Sequence, residues 1–153
     1  MKIEMNKIPI GMANSEWLVR TVLAALREGQ IASAVNQFGD KFAFNDYGIG
    51  LEFTDKGRLT EFFRKTRELY PDSLLLTDAI LVSGDYVIGQ WTQQYTATVA
   101  LIPAGPLKVP ISLHGASIVK IENGEITRWS DYYDGLISRR TALASYFTDP
   151  IEV

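Results

Sequence analysis

Asn123-Gly124 separates two runs rich in β-branched and aromatic residues, 111–122 and 125–133. An Asn-Gly pair readily takes the positive φ angles of a two-residue turn, so it predicts a tight β-hairpin. Gly84-Asp85 separates the runs 74–83 and 86–99 in the same way. The second half of the chain is therefore predicted to form four long antiparallel strands, with a loop or edge crossing over 103–110.

The first half of the chain has helical rather than strand periodicity. Asn14 or Ser15 is expected to cap the first helix, and Thr54 or Asp55 to begin the third, which Pro71 ends because proline has no amide hydrogen. The predicted elements are helices over 14–27, 31–38 and 54–70, a short strand over 41–45, a Gly-rich loop over 46–50 and a final helical segment over 136–146. Helices followed by strands indicate an α+β fold whose curved sheet wraps the helices and leaves a pocket on its concave side.

Composition limits the classes of function. The 153 residues, 46% hydrophobic and 22% charged, fit a single domain over 1–153 with 1–13 as a loose arm. A net charge of −3 without a basic run argues against nucleic-acid and membrane partners. Cysteine is absent and His114 is the only histidine, which excludes thiolate chemistry and a His-rich metal site and fits a cytoplasmic location.

Strand register predicts which side chains share the pocket. Counting outward from Asn123-Gly124 gives the pairs Ile118 with Trp129, Ala116 with Asp131, and His114 with Tyr133. His114 and Asp131 would then be diagonal neighbours on one face, with Cα atoms about 7–8 Å apart. Counting from Gly84-Asp85 gives the pairs Asp78 with Trp91, Leu76 with Gln93, and Leu74 with Tyr95. Trp91 and Gln93 are expected to face the pocket.

Asp131 is the candidate general acid or base. Near Trp129 and Tyr133 its carboxyl group would be partly desolvated, which raises a carboxyl pKa, and His114 could share its proton. The alternative is structural: His114 caps a strand end and Asp131 bonds a backbone amide.

Asn45 and Trp17 each leave two possibilities open. Asn45, with Asp46, fits either the pocket mouth or ordinary turn chemistry. Trp17 fits either the cavity lining or packing of the first helix.

Residues 115–140 have the sequence GASIVKIENGEITRWSDYYDGLISRR. This segment resembles the last hairpin of SnoaL-like proteins in the nuclear transport factor 2-like superfamily, which often shows a GKI…W…D pattern. Gly124-Glu125-Ile126, Trp129 and Asp131 match that pattern; Asp134 is a second candidate for the aspartate, but the expected register places it on the opposite face. The resemblance implies a cone-shaped α+β barrel. It also implies, as in the cyclases, an aspartate that moves a proton next to a carbonyl without a cofactor.

Limonene-epoxide hydrolase is a further comparison within that superfamily. Its Trp-x-Asp aspartate is similar to Asp131, and its Asn after the first short strand is similar to Asn45. The same resemblance calls for an arginine and a second aspartate on the middle strand, where this chain has Trp91 and Gln93. The Asp–Arg–Asp relay is therefore incomplete, and epoxide hydrolysis is not expected.

These observations lead to one expected function and one alternative. We expect a SnoaL-like enzyme, free of cofactor and metal, that performs cyclase, isomerase or lyase-like acid-base chemistry on a small, largely apolar, polyketide-like carbonyl compound. The alternative is a non-catalytic module for binding a hydrophobic molecule or for dimerisation, and a homodimer is expected in either case. The expected catalytic residues are Asp131 and His114, and the expected substrate-binding residues are Tyr133, Trp91, Gln93, Trp129, Asn45 and Trp17.

Overall fold

The computed structural model describes residues 8–101, 105–138 and 141. The elements are α1 (Asn14–Arg27), α2 (Ile31–Val35), β1 (Phe38–Asp46), β2 (Leu51–Phe53), α3 (Lys56–Leu69), β3 (Leu74–Ser83), β4 (Tyr86–Leu101), β5 (Gly105–Glu122) and β6 (Glu125–Tyr133). The predicted arm before residue 8 and most of the predicted last helix, beyond 138, lie outside the described residues. None of the described helices is long and apolar enough to cross a bilayer.

The six strands form one curved, unclosed sheet in the order β2-β1-β6-β5-β4-β3. Only β1 and β6 pair in parallel, and all other neighbours are antiparallel. Helix α1 packs on β4 at Gly89, where an added Cβ would lie 3.6 Å from Leu23 and 3.7 Å from Val19. The predicted α+β class, with N-terminal helices on a mostly antiparallel sheet, is confirmed.

The helices begin and end close to their predicted positions. Helix α1 begins at Asn14, but its N-cap is Ala13 and no side chain caps it, so the predicted Asn14 or Ser15 cap is wrong. Asp55 caps α3 by accepting a hydrogen bond from the Arg58 amide at 2.9 Å. Helix α3 ends at Leu69, before Pro71, as expected.

The chain between α2 and α3 contains more strand than predicted. Helix α2 ends at Val35 and β1 already begins at Phe38. Phe38 is buried against Phe42 and Trp129, with ring centroids at 5.1 and 6.0 Å, so core packing extends the strand. Strand β2 was missed because its three residues are mostly exposed and too short to show a period.

The predicted loop over 103–110 is wrong for its described part, because residues 105–110 are the first third of β5. Strand β5 pairs with β4 as far as Leu101 opposite Gly105. Strand β6 ends opposite Gly115, so the earlier part of β5 has only one neighbouring strand. An edge segment tolerates Pro106 and Pro110 because their missing amide hydrogens are not needed by a second strand.

The hairpin at Asn123-Gly124 has its predicted turn but not its predicted register. Both turn residues have positive φ, 51° and 75°, and Ile121 pairs with Ile126 as counted. Lys120 then pairs with Arg128, because Thr127 is an extra residue that forms a β-bulge. From there the partners of Trp129, Asp131 and Tyr133 are Val119, Ser117 and Gly115. The predicted pairs with Ile118, Ala116 and His114 are therefore wrong.

The first hairpin carries a second bulge, at Asp78. Pairs from Ser83–Tyr86 to Ala79–Gln90 follow the expected count, and Thr77 then pairs with Trp91. Gln93 consequently lies opposite Leu75 instead of Leu76. On β3 the residue opposite Gln93 on the cavity face is therefore Leu75, and the side chains of Leu74, Leu76 and Asp78, which were predicted to face the cavity, lie on the outer face.

Deletion of Thr127 tests the bulge. Since Thr127 is the extra residue, its removal leaves Arg128 opposite Lys120 and Trp129 opposite Val119, so Trp129, which is 2% exposed, keeps its place in the core. The free energy of unfolding, measured by urea denaturation, should therefore fall by no more than about 1–2 kcal/mol. Thr127→Ala keeps the chain length and should change it by less than about 0.5 kcal/mol. A loss of about 3–5 kcal/mol on deletion would mean that Trp129 had turned to the outer face of the sheet, and would contradict the bulge.

Candidate active site

A cavity of about 520 Å³ lies between the helices and the concave face of the sheet. Its wall is largely apolar and includes the aromatic side chains of Phe44, Phe62, Phe63, Trp91, Tyr95 and Trp129. A few polar groups from β1, β5 and β6 interrupt this surface. Such a combination is typical of small-molecule sites, in which apolar walls provide binding and a few polar groups orient the ligand.

Asp131 is the centre of the polar group. Its Oδ1 accepts a hydrogen bond from Ser117 Oγ at 2.5 Å and a second from Trp129 Nε1 at 2.6 Å. Ser117 in turn accepts from Trp91 Nε1 at 2.9 Å, and all three donors are buried. No described residue donates a hydrogen bond to Oδ2 of Asp131. The two hydrogen bonds thus fix the carboxyl group through Oδ1.

Gly115 makes this arrangement possible. It lies directly opposite Trp91 on the neighbouring strand, and an added Cβ would fall 2.3 Å from Cη2 of that indole. Without a side chain at Gly115, the Trp91 ring can lie over β5 and reach Ser117, two residues further along. The sequence contained both residues, but only the register reveals their contact.

The pKa of Asp131 is raised from 3.8 to about 7. Burial of the carboxyl group is the main cause, because it penalises the charged form. The hydrogen bonds from Ser117 and Trp129 oppose this effect, and the negative charge of Asp46 adds to it. The residue retains some accessible surface because it borders the cavity. A carboxyl group that changes protonation near neutral pH is suited to general acid-base catalysis.

Tyr133 and Asp46 form a second polar pair in the cavity. The Tyr133 hydroxyl donates to Asp46 Oδ1 at 2.6 Å, and the Ile49 amide donates to the same oxygen at 3.1 Å. Burial and then the hydrogen bond to Asp46 raise the pKa of Tyr133. Tyr133 therefore remains a protonated donor at neutral pH. Gly48 allows its ring to approach, since an added Cβ would lie 2.1 Å from Tyr133.

The structure separates His114 from Asp131. His114 lies on the outer face of the sheet, where its Nδ1 is 3.0 Å from Thr92 Oγ1. The Thr92 hydroxyl gives its single proton to Asp78 at 2.7 Å, so His114 Nδ1 must donate to Thr92. The expected shared face of His114 and Asp131 is wrong because the bulge at Thr127 shifts β6 by one residue.

The structure brings four of the six expected binding residues to the cavity wall: Trp91, Gln93, Trp129 and Tyr133. Asn45 is buried on the opposite face beside Ser130, and its Nδ2 has no hydrogen-bond partner among the described residues. Trp17 is half-buried on α1 and does not border the cavity. Both side chains therefore lie away from the expected site.

Ser117 is the polar residue beside Asp131 that sequence reasoning missed. Asp46, considered either for the pocket mouth or for turn chemistry, has both roles, since it accepts from the Ile49 amide and also borders the cavity. Its pairing with Asp131 across parallel strands could not be seen without the β1–β6 contact. Among the described residues, no three His, Asp or Glu side chains are grouped as in a metal site.

Several solved structures share this architecture at low sequence identity. A proposed SnoaL-like polyketide cyclase from Shewanella denitrificans superposes with a TM-score of 0.72 at 12% identity, covering 87% of this chain and 99% of that protein. A protein with a ketosteroid isomerase-like fold from Catenulispora acidiphila, in complex with trimethylamine, superposes with a TM-score of 0.70 at 18% identity, covering 86% of this chain and 97% of that protein. TerC, co-crystallised with polyporic acid, superposes with a TM-score of 0.69 at 16% identity, covering 84% of this chain and 98% of that protein. These likenesses establish the fold.

The helices on a concave sheet, with a cavity between them, define a protein of the nuclear transport factor 2-like fold. The sequence profile of the SnoaL-like domain matches residues 19–129, which is most of the chain. The chain therefore belongs to the SnoaL-like domain family. No curated protein matches the sequence.

The raised pKa of Asp131 predicts a pH-dependent stability. The native state holds this proton up to about pH 7, whereas the unfolded chain releases it near 3.8, so the free energy of unfolding falls as pH rises between these values. Asp131→Asn removes this loss. Between pH 4 and pH 8, the free energy of unfolding of Asp131→Asn should therefore rise relative to that of the wild type by at most about 4 kcal/mol, since one pKa unit corresponds to about 1.4 kcal/mol.

Urea denaturation at both pH values measures this gain. Asp40→Asn, at an exposed position of β1, is the matched control and should show no comparable gain. A difference between wild type and Asp131→Asn that does not change with pH would refute the raised pKa.

Proposed function

We propose that this protein is a cofactor-free enzyme that moves a proton next to the carbonyl group of a small, largely apolar compound, with Asp131 as the acid-base group. The observation that carries the proposal is the state of that carboxyl group. It lies in an apolar cavity with a pKa of about 7, and both of its hydrogen bonds go to one oxygen. A base of this kind is fixed in direction and is able to exchange a proton near neutral pH.

The proposed reaction begins with Oδ2 of Asp131. It takes a proton from the carbon beside the carbonyl; the C–H electron pair forms a C=C bond, and the π pair of the C=O bond moves onto the oxygen to give an enolate. Tyr133 is the donor best suited to stabilise that oxygen, because its hydroxyl stays protonated at neutral pH. Its single proton is given to Asp46 in this structure, so the hydroxyl would turn from Asp46 to the enolate oxygen as the ligand reacts. In an isomerisation the enolate is conjugated with a neighbouring C=C bond, and Asp131 returns the proton to the far carbon of that system. In a cyclisation the enolate carbon attacks a second carbonyl, a C–C bond closes the ring, and protonated Asp131 gives its proton to the alkoxide that forms. The Tyr133–Asp46 pair thus takes the partner role expected of His114.

The structural relatives are consistent with this chemistry but do not establish it. The Shewanella protein is a proposed polyketide cyclase, and the TerC structure contains polyporic acid. Identities of 12% and 16% indicate the fold alone. The proposal for this chain therefore depends on its own Asp131, Ser117 and Trp129.

Exchange of the α-protons of 2-tetralone for deuterium in D2O, followed by proton NMR, tests the base. The wild-type rate should rise with pH through about 7 and then level off, because only ionised Asp131 takes the proton. Asp131→Asn should lower the rate by roughly 10²–10⁴. Ser117→Ala removes a hydrogen bond that lowers the pKa of Asp131, so its pH profile should move to higher pH.

Asp40→Asn is again the control and should leave the rate unchanged. Equal exchange by wild type and Asp131→Asn would overturn the catalytic role. In that case the largely apolar cavity favours the alternative, a non-catalytic protein that retains a hydrophobic ligand without changing it. Native mass spectrometry of protein incubated with 2-tetralone would then show retained, unaltered ligand.

We also propose that the protein forms a homodimer through the outer face of the sheet. Large apolar side chains remain exposed on that face: Leu81 at 65%, Ile88 at 39%, Ile118 at 37% and Tyr132 at 46%. Tyr47 stacks on Tyr132 with ring centroids 5.0 Å apart and extends the same surface. Contiguous exposed apolar surface of this kind is typical of an association site.

Ile118→Glu tests the proposed dimer. A charge at the centre of an apolar interface should convert a species of twice 17.1 kDa into one of 17.1 kDa, measured by size exclusion with light scattering. Arg58→Glu changes the charge on the exposed side of α3 and should leave the mass unchanged. A wild-type protein of 17.1 kDa at high micromolar concentration would contradict the proposal.

A further inference from the structure

The opening of the cavity has a charge opposite to that of its interior. Residues that border the cavity and are also exposed to solvent mark this opening. Among the described residues they are Arg27, Ile49, Lys65, Arg67 and Leu69. The three charged members are all cations. The acidic groups of the cavity, Asp46, Asp131 and Asp134, are all buried or half-buried.

Arg27 and Arg67 come from different helices and are held together at the end of α1. Arg67 Nη1 donates to the Arg27 carbonyl oxygen at 3.4 Å. The guanidinium lies over Gly29, where an added Cβ would be 2.6 Å from Arg67 Cζ. The exposed carbonyls of a helix C-terminus favour a cation at this place. No described side chain forms an ion pair with either arginine, whereas Lys65 lies 3.6 Å from Glu61.

We infer that the ligand of this cavity is an amphiphilic anion, with an apolar body inside and a carboxylate at the opening. Arg27 and Arg67 would bind the carboxylate, since guanidinium groups pair well with carboxylates. An anion placed deeper would meet the negative charge of Asp46, which lies beside Asp131 on the neighbouring strand. The neutral end, which carries the reacting carbonyl, would therefore enter first and reach Asp131. This inference rests on the proposed function only in that the ligand occupies the same cavity.

Decanoate and decanamide form a suitable pair of probes, because they share an apolar chain and differ in the charge of the head group. Binding is measured by titration calorimetry at low salt and at neutral pH. Decanoate should bind about 10-fold more tightly than decanamide, because its carboxylate can pair with two guanidinium groups and the amide carries no charge. Added salt should reduce the difference, because charges at the opening are screened.

The double variant Arg27→Gln/Arg67→Gln should bring the two affinities within about twofold of each other. Arg58→Gln makes the same type of charge change on α3, away from the cavity, and should retain most of the difference. If Arg67→Gln lowers stability, Arg27→Gln alone should still reduce the difference about threefold.

Equal affinities in the wild type, an undiminished difference in the double variant, or binding of neither probe would each overturn the inference. Asp131→Asn separates it from the proposed function. That variant should keep the preference for decanoate while it loses proton exchange.

Discussion

The bulge at Thr127 determines what the cavity contains. A strand alternates its side chains between two faces, so one inserted residue reverses the faces of all residues beyond it. Because Thr127 is left out of the regular pairing, the hairpin keeps its tight turn while Trp129 and Asp131 point toward the helices. If Thr127 were paired regularly with Lys120, Asp131 would lie opposite Ala116, on the outer face together with His114.

Asp131 is buried at a cost, and its neighbours reduce that cost. Ser117 and Trp129 donate to the same carboxyl oxygen, and Trp91 orients Ser117. These donors lower the pKa, but burial outweighs them, which leaves the group near neutrality. The same balance that weakens the native state at high pH makes the carboxyl group useful as a base. Stability and the proposed activity therefore depend on one desolvated group.

The two faces of the sheet have different chemistry. The concave face carries aromatic side chains and the Asp131 and Tyr133 networks, next to the helices. The outer face carries the hydrogen-bonded chain from His114 through Thr92 to Asp78. Asp131 and His114 lie on the neighbouring strands β6 and β5, but because their side chains point to opposite faces of the sheet, they are in separate environments. In the proposed mechanism the proton donor is therefore Tyr133, hydrogen-bonded to Asp46, rather than His114.

Local sequence signals determined the turns, the helices and the order of elements. Asn123-Gly124, Gly84-Asp85 and Pro71 act through backbone conformation within a few residues, which a single sequence reveals. The aspartate of the site was also found from the sequence, through its place in the Trp-x-Asp pattern. Trp129, two residues away, was also placed beside it, but Ser117 and Asp46 were not, because they are distant in the chain.

Only the tertiary structure decided the register. The bulges at Thr127 and Asp78 satisfy cross-strand packing and twist across several strands at once, and no residue type signals them. The parallel pairing of Asp46 with Asp131, the space above Gly115 and the cationic opening follow from that three-dimensional arrangement. The sequence by itself thus determined which elements form, while long-range packing decided which side chains meet.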